Sequence, residues 1–560
     1  MCDVDCRMLN LELEQWHDAG TLLATAVQRF CDLSVSLEIQ CSTANWKLPD
    51  LVTRIDSLQS ILDGQLVRAR MALINIRNKL SGRSILHLPD EILSDIFMQY
   101  VYAPSEEYSM SPMSRRIEDI YQRVHTLLGV CAAWRRVGIA CHDLWTMVPL
   151  ADNFNTLRYR PLSTQLSLQR ASHQNLHLAV SIHHFSLKRL EILTGHWHRF
   201  SAVNIWLDSL LGDNITDYFR MILIDSPPGS ISKLSLKRKT HGYLLPPGQH
   251  NLSTGLKAQM NRLISSLSVF RISKVHIDWS PITFSHRLVE LRVADTMLED
   301  DFEIQSLFAA LSSAPELKVL KLISIESYVS ESGTIPLNVV SLPKLELLHL
   351  EHLYFNLLEL TLSHIARGSY NLTLSLNKET SREDSDDDLE GNVGTDRLDV
   401  LLKSAPIDKL ILSGDDDFSW TSSTGLRYVL QSVPDLKTLV LNNFVVNPEL
   451  LKGLKSFSNS TTPTNKNTFP QLTRLEIHRA SLPVSLADLK PGFEAVFESH
   501  QIQTMVFGGF LKSGPEVEDG ELLDEKDEVL EWMRRRVPRF HLSHEPGAPE
   551  ATDIWRLWDI

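Results

Sequence analysis

Cysteine is scarce in this chain of 560 residues, which contains six of them. The cysteines form no CxxC pair, and no set of cysteines and histidines has zinc-finger spacing. Such scarcity is typical of proteins that keep their thiols reduced, so we expect a cytosolic or nuclear location. The acidic first residues, MCDVDCRMLN, lack the basic and apolar regions of a secretory signal peptide, which fits the same location.

Long apolar runs and an excess of basic residues are also missing. No stretch of about 18 uncharged apolar residues occurs, so we expect no membrane span. The formal net charge of −14 argues against a nucleic-acid-binding surface over the whole chain, because phosphate attracts clustered Lys and Arg. The composition, 43% apolar and 22% charged, is that of a globular protein, and the length predicts two or more domains.

Known catalytic motifs are absent: GxSxG, HExxH, the P-loop and GxGxxG do not occur. The close histidine pairs, His183-His184 and His196-x-His198, have no acidic or cysteine partner at ligand spacing, which favours strand or surface positions. The carboxylates at 384–388 lie in a segment without apolar support, so they cannot fix an acid–base geometry. We therefore predict no catalytic residue, no cofactor and no metal site.

Two helical patterns occupy residues 8–80. In the first, apolar residues recur every three or four positions, at Leu9, Leu13, Trp16, Leu23, Val27, Phe30 and Leu37. In the second, after a helix start at Pro49-Asp50, they are Leu51, Ile55, Leu58, Leu62, Ala69, Leu73, Ile76 and Leu80. These stripes must be covered, either by each other, by the next module or in a dimer, and the two hypotheses are a simple helical hairpin and a self-associating coiled coil.

A denser apolar pattern begins at Leu86. Pro89 suits the first position of a helix, and Asp90 and Glu91 stand where the helix dipole favours anions. The apolar face that follows is too dense for a solvated helix and consists of Leu88, Ile92, Leu93, Ile96 and Phe97. A polar interruption at 103–116 precedes a second helical pattern, which begins near Ile117 and includes Val130, Cys131 and Trp134.

Residues Leu86 to Trp145 resemble the F-box, and more closely the F-box-like proteins of mushroom-forming fungi. The residues that carry the resemblance are Leu88-Pro89-Asp90-Glu91-Ile92-Leu93, Ile96-Phe97, Val130-Cys131, Trp134-Arg135 and Leu144-Trp145. In that family the first helices pack on the Skp-type adaptor of a cullin-based ubiquitin ligase, and the C-terminal part selects the substrate. The resemblance implies an adaptor-binding site formed by Leu88, Pro89, Ile92, Leu93, Ile96, Phe97, Val130, Cys131 and Trp134.

From about residue 160 the pattern changes to short apolar strands separated by turns and helical pieces. The phrase apolar-x-x-apolar-x-apolar begins at Ile231, Ile272, Leu288, Leu317, Leu345, Ile407, Leu436 and Leu472, with less regular candidates at Leu176 and Val203. This phrase is typical of the strand of a leucine-rich repeat. Some units are 28 or 29 residues apart, while other intervals are 16, 36 or 41 residues, which predicts an irregular solenoid. The strands of an ordinary α/β domain remain the alternative.

The predicted architecture is an N-terminal helical hairpin and a small helical F-box, followed by an irregular leucine-rich-repeat-like α/β solenoid. The predicted boundaries are 1–84 for the hairpin or coiled coil, 85–150 for the F-box-like domain, 151–545 for the solenoid and 546–560 for a C-terminal tail or cap. Flexible loops are predicted at 379–396 and 456–467, because both segments are polar and poor in apolar residues.

The resemblance implies a substrate-recognition subunit of a Skp-cullin-F-box ubiquitin ligase, with no chemistry of its own. Its partners are then the Skp-type adaptor, a cullin held through that adaptor, and a target protein that the repeat region binds. A non-catalytic interaction scaffold, with a degenerate F-box outside any ligase, is the second hypothesis.

Overall fold

The structure is a computed structural model. It describes residues 2–43, 49–80, 88–103, 113–151, 162–182, 191–207, 227, 229–243, 254–298, 301–327, 339–383, 391–414, 419–456, 469–511 and 521–543. His183, His184 and the predicted C-terminal tail at 546–560 lie outside these residues. The chain divides into two compact units, Met1–Pro89 and Asp90–Ile560.

The first unit contains two long helices, α1 (Cys2–Thr43) and α2 (Pro49–Leu80). The predicted helix start at Pro49 is confirmed, since this proline is the first residue of α2, where its missing N–H costs no hydrogen bond. No described side chain of α1 or α2 is buried. Of the stripe residues whose side chains are described, Leu62 and Ala69 are half-buried and the others are exposed.

The second unit begins with three helices, α3 (Asp90–Tyr102), α4 (Met113–Val130) and α5 (Ala132–Ala140), and a 3-10 turn at His142–Trp145. The predicted interruption at 103–116 is shorter than expected. Helix α4 starts at Met113, four residues before the predicted start at Ile117. Met113 is fully buried, so the core already includes the first residue of this helix. Residues 104–112 lie outside the described part of the chain.

One fifteen-stranded sheet forms the rest of this unit. Its strands are β1 (Met147–Ala151), β2 (Leu176–Ile182), β3 (Phe200–Leu207), β4 (Lys233–Tyr243), β5 (Val269–His276), β6 (Glu290–Leu298), β7 (Val319–Ser327), β8 (Leu347–Glu351), β9 (Asn371–Leu376), β12 (Ile407–Ser413), β13 (Thr438–Asn442), β14 (Arg474–Leu482), β15 (Thr504–Leu511), β16 (Glu521–Leu522) and β17 (Arg539–Leu542). The two-residue strands β10 (Arg382–Glu383) and β11 (Gly391–Asn392) form a separate antiparallel pair.

Helices lie between many of these strands along the chain. They are α6 (Leu162–Arg170), α7 (Thr254–Ile264), α8 (Asp301–Leu311), α9 (Phe355–His364), α10 (Thr395–Ser404), α11 (Ser423–Ser432), α12 (Pro448–Leu454), α13 (Leu486–Ser499) and α14 (Glu528–Arg536). Strand order in the sheet follows chain order up to β15, which pairs with both β16 and β17, and among the described strands of the sheet only β16 pairs antiparallel. Sequential parallel strands of this kind are typical of a solenoid. The predicted α/β solenoid-like arrangement is confirmed.

Alternate strand residues form ladders of apolar side chains in the core. One ladder passes through Leu178, Val203, Leu234, Phe270, Leu291, Leu320, Leu348 and Leu372, all of them fully buried. Burial of a side chain of this size contributes about 1.5–3 kcal/mol to folding. The residues between the ladder positions point to the opposite face of the sheet, which we call the polar face.

One predicted repeat has the wrong phase. The sequence pattern predicted a repeat that begins at Ile272 and continues through Val275 and Ile277. In the structure the ladder residues of β5 are Phe270 and Ile272, so the repeat begins five residues earlier, at buried Leu267. Both readings fit the phrase because Ile272 belongs to each of them. Measured from Leu267, the interval to the next unit at Leu288 lengthens from 16 to 21 residues.

Five described strands of the sheet, β1, β9, β15, β16 and β17, carry no predicted phrase. Strand β9 lies in the longest predicted gap, between Leu345 and Ile407. Residues 367–369, Arg-Gly-Ser, stand where the first apolar residue of its phrase would be. This repeat is therefore recognised only from the strand pairing, in which Leu372 lies opposite Leu348.

A backbone feature repeats even where the sequence phrase does not. Six non-glycine residues with a left-handed backbone, φ between 49° and 59°, lie two positions after a ladder residue: Lys274, Asp295, Ser324, His352, Asn443 and Arg479. The left-handed conformation costs about 1–2 kcal/mol for an L-residue, so the packed sheet supports it at each site. The six residue types differ, which is why no motif marks this turn.

The predicted loop at 379–396 is in part regular structure. Residues 379–381 form a 3-10 turn, β10 and β11 pair, and α10 starts at Thr395. Thr380 is buried and exchanges hydrogen bonds with Asn377. Residues 384–390 and 457–468 lie outside the described residues.

Candidate partner-docking face

Helix α3 carries two apolar stripes on neighbouring faces. The buried stripe consists of Leu93, Phe97 and Val101. The exposed stripe consists of Ile92, Ile96 and Tyr100, whose exposed fractions are 45%, 38% and 45%. Consecutive helical residues are about 100° apart, so the second stripe turns away from the core that holds the first. An exposed apolar stripe of this kind is a candidate docking face.

The nine residues of the predicted adaptor-binding site divide into three sets. Leu88, Pro89, Ile92, Ile96 and Val130 are exposed. Leu93 and Phe97 are buried, so they support the face and do not form its surface. Cys131 and Trp134 are half-buried at the start of α5. One dense apolar run contains both stripes, and only the neighbouring helices decide which stripe is covered.

Cys131 and Trp134 have structural contacts. Cys131 is the N-cap of α5, and its Sγ accepts a hydrogen bond from the backbone N–H of Trp134 at 3.5 Å. The ring of Trp134 packs on Phe97, with 5.0 Å between the ring centroids and 54° between the planes. The tryptophan therefore joins α5 to the buried stripe of α3.

Two arginines of α4 hold the C-terminal end of α3. Arg123 donates to the carbonyl oxygens of Tyr100 at 3.1 Å and Ala103 at 2.9 Å. Arg116 donates to the carbonyl oxygens of Tyr102 at 3.3 Å and Ala103 at 3.0 Å. The last carbonyls of a helix lack intrahelical donors and carry partial negative charge, so cationic donors stabilise this end. The contacts fix the position of Tyr100 on the exposed stripe.

Charged side chains surround the exposed stripe. Asp90 in the first turn of α3 pairs with Arg136 of α5 at 3.3 Å, and both side chains are exposed. Glu91 and Asp95 are exposed on α3, and Arg135 is exposed on α5. Exposed ion pairs contribute at most about 1 kcal/mol to stability. An apolar centre with a charged rim is the usual anatomy of a protein–protein interface.

Sequence reasoning missed Tyr100 and Ile139, which are 45% and 40% exposed. Tyr100 could have been found, because it continues the four-residue spacing of Ile92 and Ile96. Ile139 follows buried Val137 by two residues at the end of α5, and no sequence signal separates the exposed residue from the buried one.

Leu144 and Trp145, which end the F-box-like segment, are buried and have a structural role. The indole Nε1 of Trp145 donates to the carbonyl oxygen of Gly138 at 3.0 Å. The guanidinium carbon of Arg170 lies 4.4 Å from the centroid of the Trp145 ring. A Cβ at position 138 would come within 2.7 Å of a Leu128 methyl carbon, so glycine permits the close contact of α4 and α5.

Buried tyrosines join these helices to the start of the sheet. The hydroxyl of Tyr121 donates to the carbonyl oxygen of Met147 in β1 at 3.1 Å and lies 2.5 Å from Ser167 Oγ in α6. The hydroxyl of Tyr102 donates to the carbonyl oxygen of Leu144 at 3.2 Å. Burial raises the pKa of both hydroxyls, which keeps them protonated as donors. Helices α3–α5 and the first strands therefore share one core.

Among the described residues, no group of three or more His, Cys, Asp or Glu side chains is placed to hold a metal ion. His196 and His198 flank Trp197 at a short 3-10 turn. The helices in the described part of the chain include none that is long and apolar enough to cross a membrane. The exposed stripe of α3 offers an apolar contact surface with charged side chains at its rim, which is the composition of a protein-binding surface.

No protein-family model matches this chain, and no curated protein does. Among solved structures, the chain is similar to the crystal structure of a Bacteroides fragilis protein that was a structural genomics target. The two are 11% identical over 70% of this chain and 78% of that chain, with a TM-score of 0.27. This likeness is too low to assign a fold or a function.

Proposed function

We propose that this chain is the substrate-recognition subunit of a Skp-cullin-F-box ubiquitin ligase. The observation that carries the proposal is the exposed stripe of Ile92, Ile96 and Tyr100 within the segment that resembles the F-box. The buried stripe already satisfies the core of α3, so the second stripe has no role in folding the helix. A partner with a complementary apolar groove would cover it.

The adaptor would contact α3 together with the residues next to it in the chain. Leu88 is 37% exposed and directly precedes the helix with Pro89. Val130 is 54% exposed at the end of α4, and half-buried Trp134 follows on α5. Large apolar side chains of this kind carry most of the binding energy of protein interfaces. Asp90 and Arg136 at the rim would restrict the orientation of the partner.

The sheet would hold the target protein. Its polar face extends along the fifteen-stranded sheet, and sheets of this kind present extended binding surfaces. The chain itself performs no chemistry in this proposal, and other subunits transfer ubiquitin to the target.

A double substitution on the exposed stripe tests adaptor binding. Ile92→Asp with Ile96→Asp places two charges where apolar contact is required, and we expect capture of the Skp-type adaptor by the full chain to fall at least about a hundredfold. Leu88→Ala with Pro89→Ala is expected to reduce capture in the same direction. The measurement is adaptor pull-down with purified proteins, together with circular dichroism to confirm that each variant is folded.

The matched control is Phe302→Asp with Val400→Asp. Both residues are exposed on helices of the sheet region, at 63% and 68%, and lie outside the proposed face. This variant carries the same two added charges and is expected to capture the adaptor as the unaltered chain does. Undiminished capture by the Ile92 and Ile96 variant would refute the proposal.

The scaffold hypothesis stays open as the second candidate, because α3–α5 share their core with the sheet and need no ligase to be stable. Affinity purification with and without a proteasome inhibitor separates the two functions. Adaptor, cullin and a stabilised target recovered together support the ligase subunit. Adaptor recovered without cullin supports the scaffold.

A further inference from the structure

A cavity of about 410 Å³ lies between the helices of two successive repeat units. Its lining comes from α9 and α10 and from the segments that join these helices to β9 and β12. Clefts of about 300–1,000 Å³ are the usual size of small-molecule sites. The cavity is on the helix side of the sheet, opposite the polar face, and it lies outside the exposed stripe of α3.

The repeat pattern is incomplete beside this cavity. The first apolar residue of the phrase is Leu345 in the unit of β8 and Ile407 in the unit of β12, and both are buried. In the unit of β9 the strand register puts Ser369 at this position, and Ser369 is exposed. Tyr370, the next residue, lines the cavity. A small polar residue in place of a buried aliphatic side chain leaves unfilled space in an array of this kind.

The wall of the cavity is mainly apolar. Leu362 of α9 and Leu401 of α10 contribute from the two helices, and Ile365 and Pro406 contribute from the segments that follow them. Val339, which is 58% exposed, also lines the cavity, so the space is open to solvent. An apolar wall with a small number of polar groups is the usual composition of a small-molecule site.

Backbone hydrogen bonds hold this wall in place. The N–H of Val340 donates to the carbonyl oxygen of His364 at 2.7 Å, and the N–H of Ala366 donates to the carbonyl oxygen of Val340 at 2.9 Å. The ring of His364 is buried at the end of α9 and stacks on Phe308, with 4.9 Å between the ring centroids. The cavity is therefore formed before a ligand binds, as small-molecule sites usually are.

Two polar side chains of the cavity, Tyr370 and Arg367, are available to a ligand. Tyr370 is 7% exposed, and its hydroxyl makes no hydrogen bond in the described part of the chain. Arg367 is exposed and forms no ion pair with any described residue. Buried polar groups are normally hydrogen-bonded, so a hydroxyl left in this state beside a cavity indicates an acceptor that comes from a ligand.

Tyr370 and Arg367 are near each other in the cavity. Burial raises the pKa of the Tyr370 hydroxyl, and the charge of Arg367 partly opposes this rise. The hydroxyl stays protonated and can donate a hydrogen bond, as can the guanidinium. A Cβ at position 368 would lie 3.1 Å from the Tyr370 ring, so glycine there lets the ring pack against the chain. Two donors beside one apolar cavity favour an anionic ligand group.

Among the described residues of the lining, Glu359 of α9 is the acidic one. Its carboxylate is paired with Arg397 of α10 at 3.3 Å, so it does not neutralise Arg367. A doubly charged phosphate would be repelled by Glu359 and would need more than one available cation. A carboxylate carries a single charge, and a guanidinium can bind it through two parallel hydrogen bonds.

We propose that this cavity binds a small amphipathic molecule that carries one carboxylate. The carboxylate would accept hydrogen bonds from the Arg367 guanidinium and the Tyr370 hydroxyl, and the apolar body would contact Leu362, Leu401 and Pro406. Two helices and two short segments surround the cavity, which favours a compact ligand over an extended polypeptide. The site goes beyond the proposed function and does not depend on adaptor binding.

The test uses phenylbutyrate as the probe and phenylbutyramide as its uncharged analogue. Arg367→Gln removes the charge from an exposed position, and Tyr370→Phe removes only the hydroxyl. Arg287→Gln is the control, because Arg287 is also exposed, has no ion-pair partner among the described residues and lies outside the cavity. The measurement is isothermal titration calorimetry with the full chain, and circular dichroism confirms that each variant is folded.

We expect the Kd of phenylbutyrate to rise at least about tenfold with Arg367→Gln and at least about threefold with Tyr370→Phe. The control should change this Kd by less than about twofold. The unaltered chain should bind phenylbutyramide at least about tenfold more weakly than the carboxylate. Arg367→Gln should leave the Kd of the amide unchanged, because the amide carries no charge for Arg367 to bind.

Absence of saturable phenylbutyrate binding by the unaltered chain up to about 10 mM would overturn the proposal. Equal Kd values for the carboxylate and the amide would overturn it too, as would an unchanged Kd of phenylbutyrate in the Arg367 variant. Tighter binding of the tripeptide Gly-Gly-Phe, which ends in a free carboxylate, would also contradict it, because the site would then take the end of a polypeptide.

Adaptor pull-down with the Arg367 variant keeps this result separate from the proposed function. Its adaptor capture should equal that of the unaltered chain, since the cavity lies outside α3–α5. Failure of carboxylate binding refutes the cavity site alone. Undiminished adaptor capture by the Ile92 and Ile96 variant refutes the F-box-like role alone.

Discussion

At the scale of single residues, the buried carboxylates of the polar face are held by specific partners. Glu351 is fully buried and hydrogen-bonded to His349 at 2.6 Å. Glu476 is 8% exposed and contacts Arg474 and His478. A carboxylate buried without such partners would cost several kcal/mol. Removing one partner is therefore expected to be more damaging than an exposed substitution.

Glu476 makes stability depend on pH in the acid range. Burial alone would raise the pKa of this carboxyl, but the hydrogen bond from His478 and the charges of Lys409 and Arg474 together lower it to about 2. A lowered pKa in the folded state means that the stabilisation is complete above the unfolded pKa, near 4.5, and is lost as the pH falls towards 2.

We therefore predict that Glu476→Gln flattens the dependence of stability on pH between 5 and 2. The unaltered chain should lose up to about 3 kcal/mol more than the variant over this range. The measurement is the urea unfolding midpoint of both proteins at several pH values. Parallel pH profiles for the two proteins would contradict the assignment. Glu346→Gln, an exposed glutamate in a surface ion pair, serves as the control.

At the scale of the element, α3 combines a folding stripe with a binding stripe. Phe97 is fully buried against Trp134, while Ile96, its neighbour in the chain, is 38% exposed. The two side chains are both large and apolar, and their different surroundings come from α4 and α5. The helix therefore offers a matched pair of substitutions that separates stability from binding.

Phe97→Ala is expected to lower the free energy of unfolding by about 3–5 kcal/mol, because it leaves a cavity beside Trp134. Ile96→Ala is expected to change stability by less than about 0.5 kcal/mol. The measurement is thermal unfolding followed by circular dichroism, with adaptor capture recorded below the melting temperature. Equal destabilisation by the two variants would show that Ile96 is also part of the core.

At the scale of the whole molecule, the two helices of the first unit leave apolar surface on more than one side. Leu58, Leu73 and Ile76 belong to the stripe that was predicted from the sequence. Val67 and Ile74 are also exposed, at 60% and 40%, and at 100° per residue they lie roughly 150° around α2 from that stripe. A single neighbouring helix cannot cover two nearly opposite faces, which favours the self-associating form over a simple hairpin.

We predict that the full chain self-associates through residues 8–80, with a mass by light scattering of at least twice the 63.6 kDa of one chain. Val67→Gln with Ile74→Gln should reduce the mass to that of a monomer, because it removes the second apolar face of α2. Phe302→Gln with Val400→Gln is the control and should leave the mass unchanged. A monomeric unaltered chain would instead support the hairpin.

Several features were predictable from the sequence because they depend on local chemistry. Pro49 and Pro89 mark helix starts through fixed φ and a missing N–H, and both are followed directly by acidic residues that suit the helix dipole. Three-to-four-residue spacing defined α1 and α2, and a period of two defined most strands of the sheet. The phrase is incomplete in β9, and two overlapping phrases fit β5. The register of these two strands therefore follows only from their pairing with the neighbouring strands.

By itself, then, the sequence determined the helical start of the chain, the parallel α/β array and the segment that resembles the F-box, since periodicity and capping act over a few residues. Only the tertiary structure decided which of the two stripes of α3 is exposed, because α4 and α5 cover one and leave the other. It also placed Arg271, Arg292 and Lys321 side by side, although they are 21 and 29 residues apart in the chain, because strand pairing alone makes them neighbours.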